Sequence, residues 1–425
     1  MNRPSRPRAP NKAKCKKPIE IETKSLHILQ PATDQPTKTY QLLVEVVEDY
    51  NARILPDNMP QHPPFQRKDF KGLAYLATPE ILQHLIIVTY RTVQFGKSGC
   101  DPLNNREVCY HRGQALTELN KLLPRAADDS MGLIFSSAIM ALLADFGLSQ
   151  ERAWRYHLKG TRELIQRQGG FTACLKEFPS MRTLLLTFLI MDIFTATVAP
   201  AQDLDSTVTR TQTEYIPLLP ELERDIVANT DTCPHILLQA IIRTTLLRAR
   251  SVSDLTTDED ERLRYELADL LRLIIDFDPY KWASQVAEPG MTGPLRAEQC
   301  ASLRATKAWA HLALCYKSAT LLYFVFSFFR EHEVEGEIWT RKAYEMLDKH
   351  SQILCSMADP DPDAEVETQL WKFLNWPLLV SIHVSVELGY SACNIDLSID
   401  RMRSIAYATG IRSWYDIALR RRSPK

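Results

Sequence analysis

The sequence predicts an all-α protein. It reads as a large irregular helical bundle, mostly one connected domain over residues 37–425, preceded by a disordered basic tail over residues 1–36. Three observations lead there. From Thr37 onward apolar residues recur at spacings of three and four, the period of a helix with one buried face. Strict alternation, the mark of a half-buried strand, is scarce. Glycine accounts for only 14 of 425 residues, about half the usual share of roughly 7%, which disfavours folds rich in turns and phosphate-cradling glycine loops.

The tail carries Arg3, Arg6, Arg8, Lys12, Lys14, Lys16 and Lys17, with no acid before Glu20. Pro4, Pro7, Pro10 and Pro18 deny it a regular helix. It reads as a nuclear-import signal or a DNA-backbone clamp, against the plainer alternative of a solvated terminus. Tyr40 to Tyr50 is the first helical stretch. Thr78-Pro79-Glu80 then supplies a cap, a first-turn proline and an early acid ahead of Ile81. Helical patterns follow over residues 107–123, 131–146, 150–168, 180–197, 234–250, 258–275, 298–330, 337–357, 365–389 and 399–419. Breakers separate them, among them Pro102 to Asn105, Gly169-Gly170, Pro217 to Pro220, Pro289 to Pro294 and Asp359 to Pro362.

Composition narrows function by exclusion. Fifty-one basic residues face 52 acidic ones, a formal net charge of −1, so no global field drives nucleic-acid or membrane binding. The nine cysteines form no Cys-x-x-Cys pair and read as reduced core thiols of an intracellular protein. The longest apolar run, Ala319 to Phe329, spans about 16 Å as a helix, short of a hydrocarbon core of ~30 Å. No membrane partner is expected.

Residues 151–170, ERAWRYHLKGTRELIQRQGG, are the most informative. Trp154, Leu158, Thr161, Leu164, Ile165 and Gln168 share a face suited to burial. Ser149 is placed to cap, and Gly169 suits the left-handed residue that ends a helix. Gly160 sits mid-helix, at a cost of about 1 kcal/mol against alanine, and close approach of a neighbouring helix is one reason to carry it. Arg152, Arg155, Lys159 and Arg162 form a basic ridge on the other face. It reads either as a solvated face or as a contact for a phosphate or an acidic partner.

Trp154-x-x-His157-Leu158-Lys159-Gly160-x-x-x-Leu164-Ile165-x-x-x-Gly169-Gly170 resembles the motif of the fungal-specific transcription factor domain, the helical regulatory region of fungal zinc binuclear cluster regulators. Other pieces resemble that family in the same order: Pro64-Phe65, Thr78 to Leu82, Tyr110 to Leu119, Ile139 to Phe146, Asp192-Ile193-Phe194 and Trp376-Pro377-Leu378-Leu379. The resemblance implies a nuclear regulator whose helical domain dimerises or binds a protein partner, with a small-molecule inducer as a further possibility. It also implies a six-cysteine zinc module near the N-terminus, yet Cys15 is the one cysteine in the first 99 residues. One thiolate cannot hold two zinc ions, so DNA contact is expected to be indirect or non-specific.

No catalytic or metal constellation emerges. The sequence has no His-Glu-x-x-His, no Gly-x-Ser-x-Gly elbow, no phosphate loop and no dinucleotide fingerprint. Neither catalytic residues, nor metal ligands, nor a cofactor are expected. His111, His157, His311 and His383 read as structural. Tyr316, Tyr323, Phe324, Phe326, Phe328 and Phe329 read as a central core helix or as one wall of a small-molecule pocket. The competing function is a helical ligand-binding or enzymatic pathway protein that reuses the regulatory fold.

Overall fold

The computed structural model describes residues 79–422 except 99, 126–130, 149–150, 230–232, 251–256, 287–302, 330–334, 357–369, 372, 389–391 and 410–412, together with positions 42, 45 and 46. The basic tail, Pro64-Phe65, Thr78 and Ser149 lie outside these residues.

Sixteen α-helices and no strand occur among the described residues. In order they are α1 (Glu80–Ser98), α2 (Arg106–Leu122), α3 (Met131–Gly147), α4 (Glu151–Arg167), α5 (Phe171–Glu177), α6 (Arg182–Thr197), α7 (Ser206–Tyr215) and α8 (Leu219–Asn229). Then come α9 (His235–Arg250), α10 (Thr257–Asp276), α11 (Pro279–Val286), α12 (Leu303–Phe328), α13 (Glu335–Ser356), α14 (Asn375–Leu388), α15 (Ala392–Thr409) and α16 (Ser413–Arg422). They form a single helical domain.

Local chemistry sets many of the ends. Asn105 accepts from Glu107 N and Val108 N to start α2. Asp205 accepts from Thr207 N and Val208 N to start α7. Asp278 does the same for α11, followed by Pro279 in the first turn. Such caps satisfy amides that the helix itself leaves open. Helices α5, α7, α8 and α11 are additions to the sequence pattern, because their apolar repeats are too short to register. The stretch predicted over 399–419 is two helices, α15 ending at Thr409, one residue before Gly410.

Helix α3 organises the centre because it is apolar on two faces. Ala141 and Ala144 close a three-helix cluster with Ile81, Leu85, Val88, Val108, Ala115 and Leu119 of α1 and α2. Ile134, Phe135, Ile139, Leu142 and Phe146 face the main core, which runs on to Ala418 in α16. Helices α6 and α12 cross that core. The stretches Pro179–Thr197 and Thr306–Phe328, which cover α6 and most of α12, are long and apolar enough to cross a membrane by length and composition alone, yet 72% of the most apolar part of each is buried inside the protein, as core helices are. Along α12 and at its end, Tyr316, Tyr323 and Phe324 are buried in that core, while Phe326, Phe328 and Phe329 are half-buried at its edge.

Two helical hairpins are pinned by histidine pairs. His84 Nδ1 lies 2.7 Å from His111 Nδ1 between α1 and α2, and His311 Nδ1 lies 2.8 Å from His350 Nδ1 between α12 and α13. Each contact needs one donor and one neutral acceptor, so the two rings of a pair cannot both be imidazolium and keep the bond. Burial first, then the charges of His311 and Lys349, push His350 down to about 4. Unfolded, the ring titrates near ~6.5 and binds a proton that the folded state refuses. Stability is therefore full above ~6.5 and falls as pH drops from ~6.5 towards 4, by on the order of 3 kcal/mol for this residue. Urea midpoints measured across that window should fall with pH, and His350→Gln should flatten the slope.

Candidate functional site

The 151–170 segment folds as α4 and its closing turn, and its sequence features become inter-helix locks. Trp154 is buried edge-on to Phe146 of α3, ring centroids 5.6 Å apart, and Phe146 in turn meets Trp414 of α16 at 5.1 Å. His157 Nε2 lies 3.1 Å from Oδ2 of the buried Asp145 on α3. The same carboxylate takes a forked pair from Arg112 of α2, Nε at 2.6 Å and Nη2 at 2.9 Å. Burial pushes the Asp145 carboxyl up, but the hydrogen bonds from His157 and Arg112 outweigh it and hold the group below the ordinary carboxylate range. Three helices thus meet at one ionised acid.

A second buried acid lies one and a half turns on. Arg162 Nε and Nη2 both reach Asp192 Oδ1 of α6 at 2.5 Å. The Asp192 side chain is 0% exposed and that of Arg162 is 9% exposed. Tyr215 of α7 donates its hydroxyl to Asp192 Oδ2 at 3.1 Å, and Gln212 Nε2 donates to the Asp192 carbonyl. Burial, then the Asp192 charge, pushes the Tyr215 phenol well above its usual range, so it stays a donor. The requirement that buried charges be paired is met by a cation, a phenol and a helix-to-helix geometry.

The Gly-Gly turn carries a third lock. Gly169 and Gly170 adopt φ of 92° and 96°. Gly170 N donates to the Ile165 carbonyl and Gly169 N to that of Gln166, the paired bonds that close a helix through a left-handed residue. Glu214 of α7 then accepts from Phe171 N and from Gln166 Nε2. A Cβ on Gly170 would stand 2.6 Å from Glu214 Oε2. Gly170→Ala should therefore cost about 1–3 kcal/mol from backbone strain alone, with Glu214 displaced as well, read as a lowered denaturant midpoint.

The distant motif pieces converge as well. Trp376 of α14 is buried and stacked on Phe194 of α6 and Tyr316 of α12, with centroids 5.0 Å and 5.9 Å apart and interplanar angles of 15° and 10°. Its Nε1 donates to Thr197 Oγ1 at 3.0 Å. Asp192-Ile193-Phe194 and Trp376-Pro377, nearly two hundred positions apart, thus share one packing site. Pro377 lies in the first turn of α14, where no intrahelical amide bond is lost.

The sequence profile of the fungal specific transcription factor domain matches residues 83–381, which include these contacts apart from Trp414. The chain belongs to this family. No curated protein and no solved structure is similar to it. As a member of that family it carries a domain found in fungal transcriptional regulators.

Of the motif residues, Trp154, His157, Leu158, Gly169 and Gly170 take part in packing α4 and closing its end. Gly160 departs from expectation. A Cβ there would meet nothing within 4 Å, so no neighbouring helix requires the glycine. Gly160→Ala is expected to raise stability by up to about 1 kcal/mol through lower unfolded-state entropy, checked by thermal melting.

The basic ridge is also corrected. Arg162 is not on it, because the α4 axis turns its guanidinium inward to Asp192. Arg155 is half-buried, its guanidinium 5.3 Å from the centre of the Trp154 ring. Lys159 is exposed. The Arg152 side chain and the tail residues Arg3, Arg6, Arg8, Lys12, Lys14, Lys16 and Lys17 lie outside the described set. Sequence reasoning missed Tyr156, which is 75% exposed beside Lys159. Its signal was available: Tyr156 falls on the polar side of the helical wheel, where a tyrosine has no core to enter.

Among the described residues no three His, Cys, Asp or Glu side chains converge as a metal site. A cleft of about 350 Å³ opens between the end of α4 and the start of α7, lined by Glu163, Gln166, Arg167, Ser206, Thr207 and Arg210. Sequence reasoning also missed this cleft, since its two walls are 40 positions apart.

Proposed function

We propose that this chain acts in the nucleus as a fungal transcriptional regulator whose helical domain, residues 37–425, presents the outer face of α4 to a protein partner or to a second copy. DNA is then reached through that partner or, without sequence selectivity, through the basic residues of the 1–36 tail. Control of a metabolic pathway belongs to the same reading. The observation that carries it is the division of α4 into two faces. The family motif is spent inward on Asp145, Asp192 and the core, while Tyr156 and Lys159 stand outward beside Arg155. An exposed tyrosine next to an arginine is a composition that protein interfaces favour.

The experiment is a set of paired measurements. Purified full chain should bind DNA weakly, with steep salt dependence and no sequence preference, because phosphate contacts alone carry no sequence information. Tight selective binding by the isolated chain would overturn the indirect route. Tyr156→Ala with Lys159→Glu should abolish recovery of partner or second copy from nuclear extract, and should alter the same transcripts as deletion of the gene. A double variant that leaves both unchanged removes the α4 face from the account.

A further inference from the structure

The cleft between α4 and α7 holds charges that the fold does not consume. Glu163 and Arg167 are exposed and stand one turn apart on α4, the spacing at which opposite charges usually pair. Neither has an ion-pair partner among the described residues. Across the cleft Arg210 stands 72% exposed, and its contact to Glu214 on its own helix is long, at 3.8 Å. Ser206 and Thr207 complete the wall from the first turn of α7. The backbone amides of that turn are not offered, because Asp205 already accepts from Thr207 N and Val208 N. Recognition in the cleft therefore falls to side chains.

Gln166 braces the two walls of the cleft. Its Nε2 donates to Thr211 Oγ1 at 3.2 Å and to Glu214 Oε1 at 3.1 Å. The Glu214 carboxylate fixes which end of the amide is the donor, so Oε1 must face the other way. That oxygen is buried and has no hydrogen-bond partner. Being buried, that oxygen is closed to the cleft, and recognition there is left to Glu163, Arg167 and Arg210.

We infer that this cleft binds an acidic α-amino acid, its ammonium directed to Glu163 and its two carboxylates to Arg167 and Arg210. The charge count matches, with two guanidiniums and one carboxylate facing two carboxylates and one ammonium. Guanidinium takes a carboxylate through two parallel N–H donors, which fixes orientation as well as charge. The volume of about 350 Å³ lies at the small end of ligand sites, about 300–1,000 Å³, and suits a metabolite of this size. A bound ligand would bridge α4 to α7 and so stiffen the helix whose outer face carries Tyr156 and Lys159. This regulatory consequence rests on the reading proposed above; the binding itself does not.

Calorimetric titration of the purified full chain tests the site, with L-glutamate, L-aspartate, glutarate, L-glutamine and inorganic phosphate as probes. Saturable binding of L-glutamate or L-aspartate is expected, with glutarate and L-glutamine weaker by about tenfold or more, each having lost one charged contact. Glu163→Gln should erase the preference over glutarate and leave glutarate binding unchanged. Arg167→Gln and Arg210→Gln should weaken all dicarboxylates by about tenfold. All three side chains are exposed, and unchanged thermal melting of the variants confirms folding. No saturable heat up to about 10 mM, a free energy weaker than about −3 kcal/mol, overturns the inference. So does phosphate or glutarate binding as tightly as the amino acids, or binding that survives the triple variant. None of these outcomes touches the regulator reading, which is decided by transcripts and partner recovery.

Discussion

Replacing Asp192 with alanine is expected to cost about 3–5 kcal/mol and to leave the domain close to unfolding at physiological temperature. The substitution strands the Arg162 guanidinium in a site where its side chain is 9% exposed. It also removes the acceptor of the Tyr215 hydroxyl. The cost comes from breaking the pair rather than from the pair's own attraction, since two charges taken out of water roughly repay only their own desolvation. The double substitution Arg162→Met with Asp192→Leu should therefore recover most of the loss. Urea unfolding of the single and double variants reads the difference. A single variant costing under about 1 kcal/mol, the range of an exposed pair, would show that water reaches the site.

Trp376→Ala should cost a similar amount, about 3–5 kcal/mol, by opening a cavity at the junction of α6, α12 and α14. The indole is fully buried and stacks on both Phe194 and Tyr316, so its removal unsupports two other rings. Trp376→Phe separates the contributions. It keeps most of the apolar contact and loses the Nε1 bond to Thr197 Oγ1, worth about 1 kcal/mol plus the penalty of a buried hydroxyl left unmet. Near-ultraviolet circular dichroism, sensitive to stacked aromatics, follows the packing while urea midpoints follow the energy. A small effect of the alanine variant would mean that the three helices can close the gap by sliding.

The two substitutions probe different physics in neighbouring places. Asp192 and Phe194 lie on one turn of α6, the first holding α4 and α7, the second holding α12 and α14. Helix α6 thereby links the motif helix to the C-terminal half of the core, alongside the Trp154–Phe146–Trp414 contacts through α3.

The all-α class was determined by the sequence alone, because the three-and-four apolar period of residues such as Ile81, Leu85 and Val88 is a local property that each helix carries by itself. The family motif was legible for the same reason: Trp154 through Gly170 lie on one continuous stretch. The Gly169-Gly170 stop was also written locally, as both residues take φ values that glycine alone adopts without strain. Four short helices were not legible, since α5, α7, α8 and α11 bury too few turns to show a period. What tertiary structure decided is which way each charged residue of α4 points. Arg155, Lys159 and Arg162 look equivalent on a helical wheel, yet one lies over Trp154, one faces water and one enters the core. The deciding factor is Asp192, 30 positions away, whose burial on α6 demands a cation from whichever helix packs above it. A sequence read along one dimension holds no record of that neighbour, and the α4–α7 cleft, built from two helices and owned by neither, was beyond its reach for the same reason.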